Sequence, residues 1–313
     1  MHRIALFYGK ELAKYGFDAP HPLGRDRLDA FWKFFHEADL DKFVRIEEPV
    51  MADEEVILAF HDKAYVEYVK KASILGYGFL DYGDTPAYRG VYEAAAYVVG
   101  STLKGLELIM KGEVDHAFNP IGGLHHARRD RAGGFCVFND IGILIECARS
   151  IYNIERISYI DIDAHHGDGV YYEYAKDKSI TIADIHEDGR YLYPGTGFTY
   201  EDGEEEAKGT KLNIPLMPYS GDKEFVDAFK RVEEFIDNAN PQLVIFQCGA
   251  DGLKSDPLTH LTYSEEIHRY ASSILHKIAH KHANGRIIAL GGGGYNRLNI
   301  AKAWSEVIKG MLE

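Results

Sequence analysis

Seven short apolar runs punctuate this chain, and most of them are continuous rather than alternating between apolar and polar residues. They are IALFYG (4–9), HAFNP (116–120), ISYIDID (157–163), ITIADIH (180–186), KLNIPL (211–216), LVIFQCGAD (243–251) and RIIALGGGG (286–294). Continuous runs of this length suit strands buried on both faces. Segments with helical apolar spacing lie between many of them, among them 88–111, 141–152, 222–238 and 264–282. Buried strands separated by helices predict one doubly wound α/β domain over residues 1–313, with a mostly parallel central sheet flanked by helices. The stretch 18–85 is less regular and is expected to wrap the edge and rim of that sheet.

Composition narrows the function. The net charge of −14 argues against a surface that seeks phosphate, so no nucleic-acid partner is expected. No apolar run reaches the roughly 18–20 residues needed to span a bilayer. The start, MHRIALFYGK, has neither the apolar length nor the cleavage site of a signal peptide; it reads as a first strand. The three cysteines, Cys136, Cys147 and Cys248, form no CxxC pair, which points to a reducing cytoplasm without disulfides.

Polar clusters stand directly behind the apolar runs. His125-His126 follow HAFNP, Asp161 to Asp168 follow ISYI, Asp251 follows LVIFQCGA, and Gly291 to Tyr295 follow RIIAL. Polar groups at the end of a buried strand are costly unless something binds there. In open α/β sheets that edge is where ligands bind. Four motifs are expected to converge on one rim.

Their chemistry can be read from residue type. Asp163 and His165, two apart at a strand end, can point to one side. With Asp251 they make two carboxylates and an imidazole, the general plan of a catalytic metal site with room for water. Alone, an Asp-x-His more often marks a turn beside a rim histidine; the neighbouring clusters change that balance. His125 and His126 are candidate acid/base groups, each needing a partner on its second nitrogen, and Asp161 and Asp168 can supply them. The run Gly291–Gly294 lacks the lysine of a phosphate loop and reads as a flexible loop presenting Tyr295. A phenol opposite a metal can donate to a developing oxyanion, though by itself this motif equally suits a turn with a packing tyrosine.

Together these residues resemble the histone deacetylase superfamily, including its bacterial acetoin-utilisation and acetylpolyamine branches. The resemblance runs from HPLGRDR (21–27) through GGLHHARRDRAGGFCVFND (122–140), YIDIDAHHGDG (159–169), YPGTG (193–197) and CGADGLKSDPL (248–258) to GGGGYN (291–296) and AKAW (301–304). It implies an arginase/deacetylase-like fold and a metal-dependent amidohydrolase that releases acetate, or another short acyl group, and a free amine. It implies zinc on Asp163, His165 and Asp251, with iron(II) also compatible with that set. His126 then matches the general base backed by Asp168, His125 its electrostatic partner backed by Asp161, and Tyr295 the carbonyl-polarising phenol. Gly134, Phe135 and Tyr193 fall on the walls of a narrow acyl-lysine tunnel, Asp84 at its rim, Leu258 at its gate, and Arg27 along an inner acetate channel. The family's potassium or sodium site corresponds to Asp161, Asp163, His165, Asp184 and Ile185.

Two positions refine the expectation. Asp184 stands where a serine hydroxyl is common, adding a charge to the cation site. Leu258 is apolar where the polyamine-selective branch can carry a glutamate, which favours an acetylated lysine in a protein or peptide over a small acetylated amine such as a polyamine. The related dinuclear ureohydrolases need further aspartates where this chain has Gly167 and Leu253, so a two-metal site is not expected. A non-catalytic acyl-binding protein would be signalled by loss of Tyr295 or a histidine, and all are present.

Overall fold

The computed structural model describes residues 3–313. Its centre is one sheet of eight strands, all parallel. In chain order they are β1 (Ile4–Phe7), β2 (Arg45–Glu47), β3 (His116–Asn119), β4 (Ile157–Asp161), β5 (Ile180–Glu187), β6 (Lys211–Leu216), β7 (Leu243–Gln247) and β8 (Ile287–Leu290). Across the sheet the order is β2-β1-β3-β8-β7-β4-β5-β6. Every residue of β1, β3, β4, β7 and β8 is buried, which is why these strands show no polar–apolar alternation.

The helices are α1 (Arg27–Glu37), α2 (Glu54–Ile57), α3 (Lys63–Leu75), α4 (Val91–Met110), α5 (Asp140–Tyr152), α6 (Asp168–Tyr174), α7 (Asp222–Ala239), α8 (Glu266–His282) and α9 (Arg297–Met311). They pack as two series, α1 on α9 on α8 on α7, and α3 on α4 on α5. The stretch expected to be irregular contains α1, α3 and the edge strand β2. The strand escaped notice because it has only three residues, two of them exposed, and so carries no buried-strand signature. Among the described residues no helix is long and apolar enough to cross a membrane.

The strands stop where the polar residues begin. Asn119, Leu290, Gln247, Asp161, Asp184 and Asn213 lie in one register row across β3, β8, β7, β4, β5 and β6. The clusters at 125–126, 161–168, 251 and 291–295 therefore leave four strands that are adjacent in the sheet. The order of those strands, β3-β8-β7-β4, is what gathers four distant motifs at one edge.

Candidate active site

Asp163, His165 and Asp251 come together just beyond β4 and β7. Their ligand atoms lie within 4.8 Å of one another, and the residues are 1%, 8% and 0% exposed. His165 Nδ1 stands 3.1 Å from Asp163 Oδ1 and 3.0 Å from Asp251 Oδ2. Burial and the Asp163 charge push Asp251 up to about 7, a repulsion that a cation between the carboxylates would relieve. Burial pulls His165 down, but its hydrogen bonds to both carboxylates hold it up to about 10.

The far side of each carboxylate is tied back. Asp163 Oδ2 accepts from Gln247 Nε2 at 2.8 Å and from the Gly293 N–H at 2.7 Å. Asp251 Oδ1 accepts from the Ala164 N–H at 2.8 Å. These bonds orient the remaining lone pairs inward. Two oxygens and one imidazole nitrogen, pre-oriented and desolvated, fit a divalent ion that keeps a coordination position open.

Beside this set stand two histidine–aspartate pairs. His125 Nδ1 lies 2.7 Å from Asp161 Oδ2, and His126 Nδ1 lies 2.7 Å from Asp168 Oδ1. The rings meet Nε2 to Nε2 at 3.0 Å. With each Nδ1–H donated to a carboxylate, that contact requires one ring to be an imidazolium donating to the other's lone pair. Burial opposes charge on His125, but Asp161 and Asp163 raise it to about 9; burial and the His125 charge push His126 down to about 4. His125 is thus the donor and His126 carries the lone pair. Asp168 opens α6, where the helix N-terminus favours a carboxylate. Against burial, His126 and Arg128 hold Asp168 down to about 2.

The loop that carries the histidines is itself anchored by a buried carboxylate. Asp140 Oδ1 accepts from the Leu124 N–H at 2.9 Å, while Oδ2 takes the Thr102 hydroxyl at 2.8 Å. Asn139 Nδ2 adds a bond to the Ala127 carbonyl at 2.8 Å.

The glycine run differs from its expected flexibility. Arg27 Nε donates to the Gly294 carbonyl at 3.0 Å and Nη2 to the Gly292 carbonyl at 2.6 Å. Trp304 Nε1 donates to the Gly291 carbonyl at 3.0 Å, and the Ala250 N–H to the Gly293 carbonyl at 2.9 Å. All four glycine carbonyls are held, so the run is a clamped turn; small residues are needed because backbone and side chains close on it, not for motion. Arg27 is 3% exposed and acts on this turn, and it is not among the residues lining the inner cavity. The clamp delivers Tyr295, whose N–H donates to Asp256 Oδ2 at 2.8 Å. Burial and the charges of Asp251 and Asp163 raise the phenol well above its ordinary value, so it stays a proton donor.

An inner cavity of about 20 Å³ is lined by Leu23, both histidines, Phe135, Tyr295, Asp163 and His165, with Gly134 also on its wall. A wider mouth of about 340 Å³ is lined by Asp81, Tyr82, Asp84, Arg128, Arg131 and Tyr193. The two meet at His126, which borders both. A side chain at Gly134 would put its Cβ 2.4 Å from His126 Cδ2, so glycine there is a condition of the ring's position. Phe135 adopts φ 69°, a rare conformation for a bulky residue. It is held by bonds from Tyr15 Oη to its carbonyl at 2.8 Å and from its N–H to Thr85 Oγ1 at 3.1 Å. His21 links wall and rim, its ring 4.6 Å from that of Phe135 and its Nε2 3.0 Å from the Asp84 carbonyl.

Leu258 lines neither the inner cavity nor the mouth. It is half-buried nearby, its N–H bonded to Asp256 Oδ1 at 3.0 Å. Asp184 accepts from the Gly167 N–H at 2.9 Å through one oxygen and faces His186 Nδ1 at 2.6 Å through the other, so a buried imidazole already pairs with the added carboxylate. Asp140, Gln247, Asp256, His21 and Leu23 were not read from the sequence as site residues. For Gln247 a signal existed: an amide closing an apolar run is costly unless it is bonded.

A parallel sheet with this buried constellation at its C-terminal edge defines a hydrolase of the arginase/deacetylase fold. The family model for the histone deacetylase domain matches residues 21–311, and the chain belongs to that family. It is 35% identical over 319 residues to the acetoin utilization protein AcuC of Bacillus subtilis (strain 168), covering 98% of this chain and 81% of that protein. It is 33% identical over 323 residues to AcuC of Staphylococcus aureus (strain MRSA252), covering 100% and 82%. Among solved structures, a histone deacetylase homologue from Aquifex aeolicus superposes with a TM-score of 0.88 at 30% identity, covering 99% of this chain and 84% of that one. The HDA15 HD domain superposes with a TM-score of 0.91 at 25% identity, covering 100% and 90%. The chain is a deacetylase of this family.

Proposed function

We propose that the protein is a zinc-dependent deacetylase acting on an acetylated lysine side chain in a protein or peptide, at the Asp163–His165–Asp251 set. The observation that carries this reading is the pair of histidine–aspartate couples, joined at 3.0 Å, beside a buried three-ligand group. Asp163, His165 and Asp251 would hold the zinc, which when bound would supply Lewis acidity toward the attacking water and the amide carbonyl.

The chain's own residues supply the rest. His126, its Nδ1–H fixed on Asp168, takes the proton of the attacking water on Nε2 once that water displaces the His125 N–H that this lone pair accepts in the free protein. His125, charged and fixed on Asp161, stabilises the negative charge that develops, and a histidine returns a proton to the leaving amine. The Tyr295 hydroxyl donates to the oxyanion. Phe135 and Tyr193 are suited to flank an extended aliphatic stem, and Asp84 to accept from a substrate amide at the rim. Free, buried cysteines at 136, 147 and 248 suit work in the cytoplasm.

Turnover of zinc-loaded protein on an acetyl-lysine peptide and on an N-acetylated polyamine, side by side, tests this reading. Preference for the peptide is expected. Preference for the polyamine would move the substrate to small acetylated amines, and turnover of neither would remove the deacetylation of amines from the proposal.

A further inference from the structure

A second cluster of metal-ligating side chains lies at the other end of the sheet from the active site. His116 is the first residue of β3, whereas the active-site histidines follow its last. His276 and His280 lie on the final turns of α8. After that helix the chain turns through 283–286 into β8, the strand beside β3, and this return brings the helix end against His116. The ligand atoms of the three imidazoles lie within 4.8 Å of one another. Ring centroids are 5.0 Å apart for His116 and His276, 5.3 Å for His116 and His280, and 4.5 Å for His276 and His280.

We propose that His116, His276 and His280 form a second metal site, taking a divalent transition ion such as zinc or nickel, separate from the active site. Residues four apart on a helix share one face, so His276 and His280 present a ready two-tooth grip. His116 is oriented by the backbone: its Nδ1 lies 2.8 Å from the Gly285 carbonyl oxygen. A carbonyl only accepts, so Nδ1 bears the hydrogen and Nε2 bears the lone pair that a metal needs. This is the arrangement in which a ligating histidine donates its other ring N–H to a backbone carbonyl.

The turn is also shaped around the third ligand. Gly285 has φ +80°, and a Cβ there would lie 2.8 Å from His280 Cε1. His116 and His276 are buried while His280 is exposed, so two of the ligands are held within the protein and the third lies at its surface. Three imidazoles and no carboxylate suit zinc, nickel or copper and exclude a calcium or magnesium preference. An ion held there would fasten the end of α8 to the start of β3. The rival is edge-to-face packing of three imidazole rings with no metal at all.

The test uses untagged protein already carrying one equivalent of zinc, titrated with Zn²⁺ in a calorimeter and, separately, with Ni²⁺ while thermal unfolding is followed. One further equivalent is expected to bind, and nickel is expected to raise the unfolding midpoint. H280N, changed at an exposed position, and H276N should each weaken the further equivalent at least about tenfold, the scale on which losing support for a metal site acts. H280N should keep the parent's deacetylase rate, which shows that it is folded. A parent that takes up no further equivalent would overturn the proposal, as would an equivalent of unchanged affinity in both variants.

Discussion

The floor of the active site and its mouth differ in how tightly each group is held. At the floor, Asp163, Asp251 and Gln247 are buried, and the two carboxylates and the glycine turn are fixed by hydrogen bonds from separate parts of the chain. At the mouth, Tyr82 and Asp84 are exposed loop residues and Tyr193 is 46% exposed. A buried network can hold charges in place because misalignment leaves desolvated groups unpaired. A loop near solvent cannot enforce that, but it tolerates change. On the function proposed above, the contrast favours the floor for the chemistry and the mouth for selectivity.

The largest effects should come from the floor. Removing the metal with a chelator, or replacing Asp251 by Asn, should lower turnover by about 10³-fold or more. Zinc should restore the chelated protein and not the variant. Activity surviving both would remove the ligand set from the reaction. Y295F should retain bound metal and lose roughly 10²–10³-fold in kcat, the scale of one oxyanion donor, and H126A at least as much. Full activity in Y295F would show that the clamped turn presents its phenol to no purpose.

A step outward, Q247L removes the bond to Asp163 Oδ2 without touching substrate. Metal affinity should fall by roughly 10–100-fold, with KM unchanged at saturating zinc. Equal affinity would mean that the buried network is less demanding than its geometry implies.

The mouth should give smaller and differently shaped effects. Partial enclosure of its carboxyl, together with the neighbouring Asp81, pushes Asp84 up to about 7. The group is therefore mostly protonated below that pH and ionised above it. If the carboxylate accepts from a substrate amide, KM should improve as pH rises through 7, and D84N should raise KM about three- to tenfold and flatten that dependence. An identical pH profile in D84N would assign the titration elsewhere. The smallest change is expected for L258E, which lies outside the cavity lining. It should shift the peptide-to-polyamine preference only a few-fold, as exposed charges do; a large switch would place selectivity at the gate rather than in the loops of the mouth.

Much of this architecture was legible from residue order. Strands buried on both faces cannot alternate, so continuous runs such as LVIFQ at 243–247 announce a parallel sheet. Polar residues behind such runs are expensive, so 125–126, 161–168 and 251 announce a site. The three-residue β2 and the supports of the site were not legible. Asp140 holds Gly123 and Leu124 across a loop, and Arg27 holds carbonyls at 292 and 294. Nothing local in the sequence marks such pairings.

The sequence by itself determined which groups could do chemistry and that they would sit at strand ends, because burial and helical spacing are local properties with local signatures. Only the tertiary structure decided which strand ends are neighbours, that the glycine turn is clamped, and that His116 meets His276 and His280. Those contacts join residues distant in the chain, up to 267 positions apart for Arg27 and Gly294, and their energy depends on the order of strands across the sheet, which no period in the sequence records.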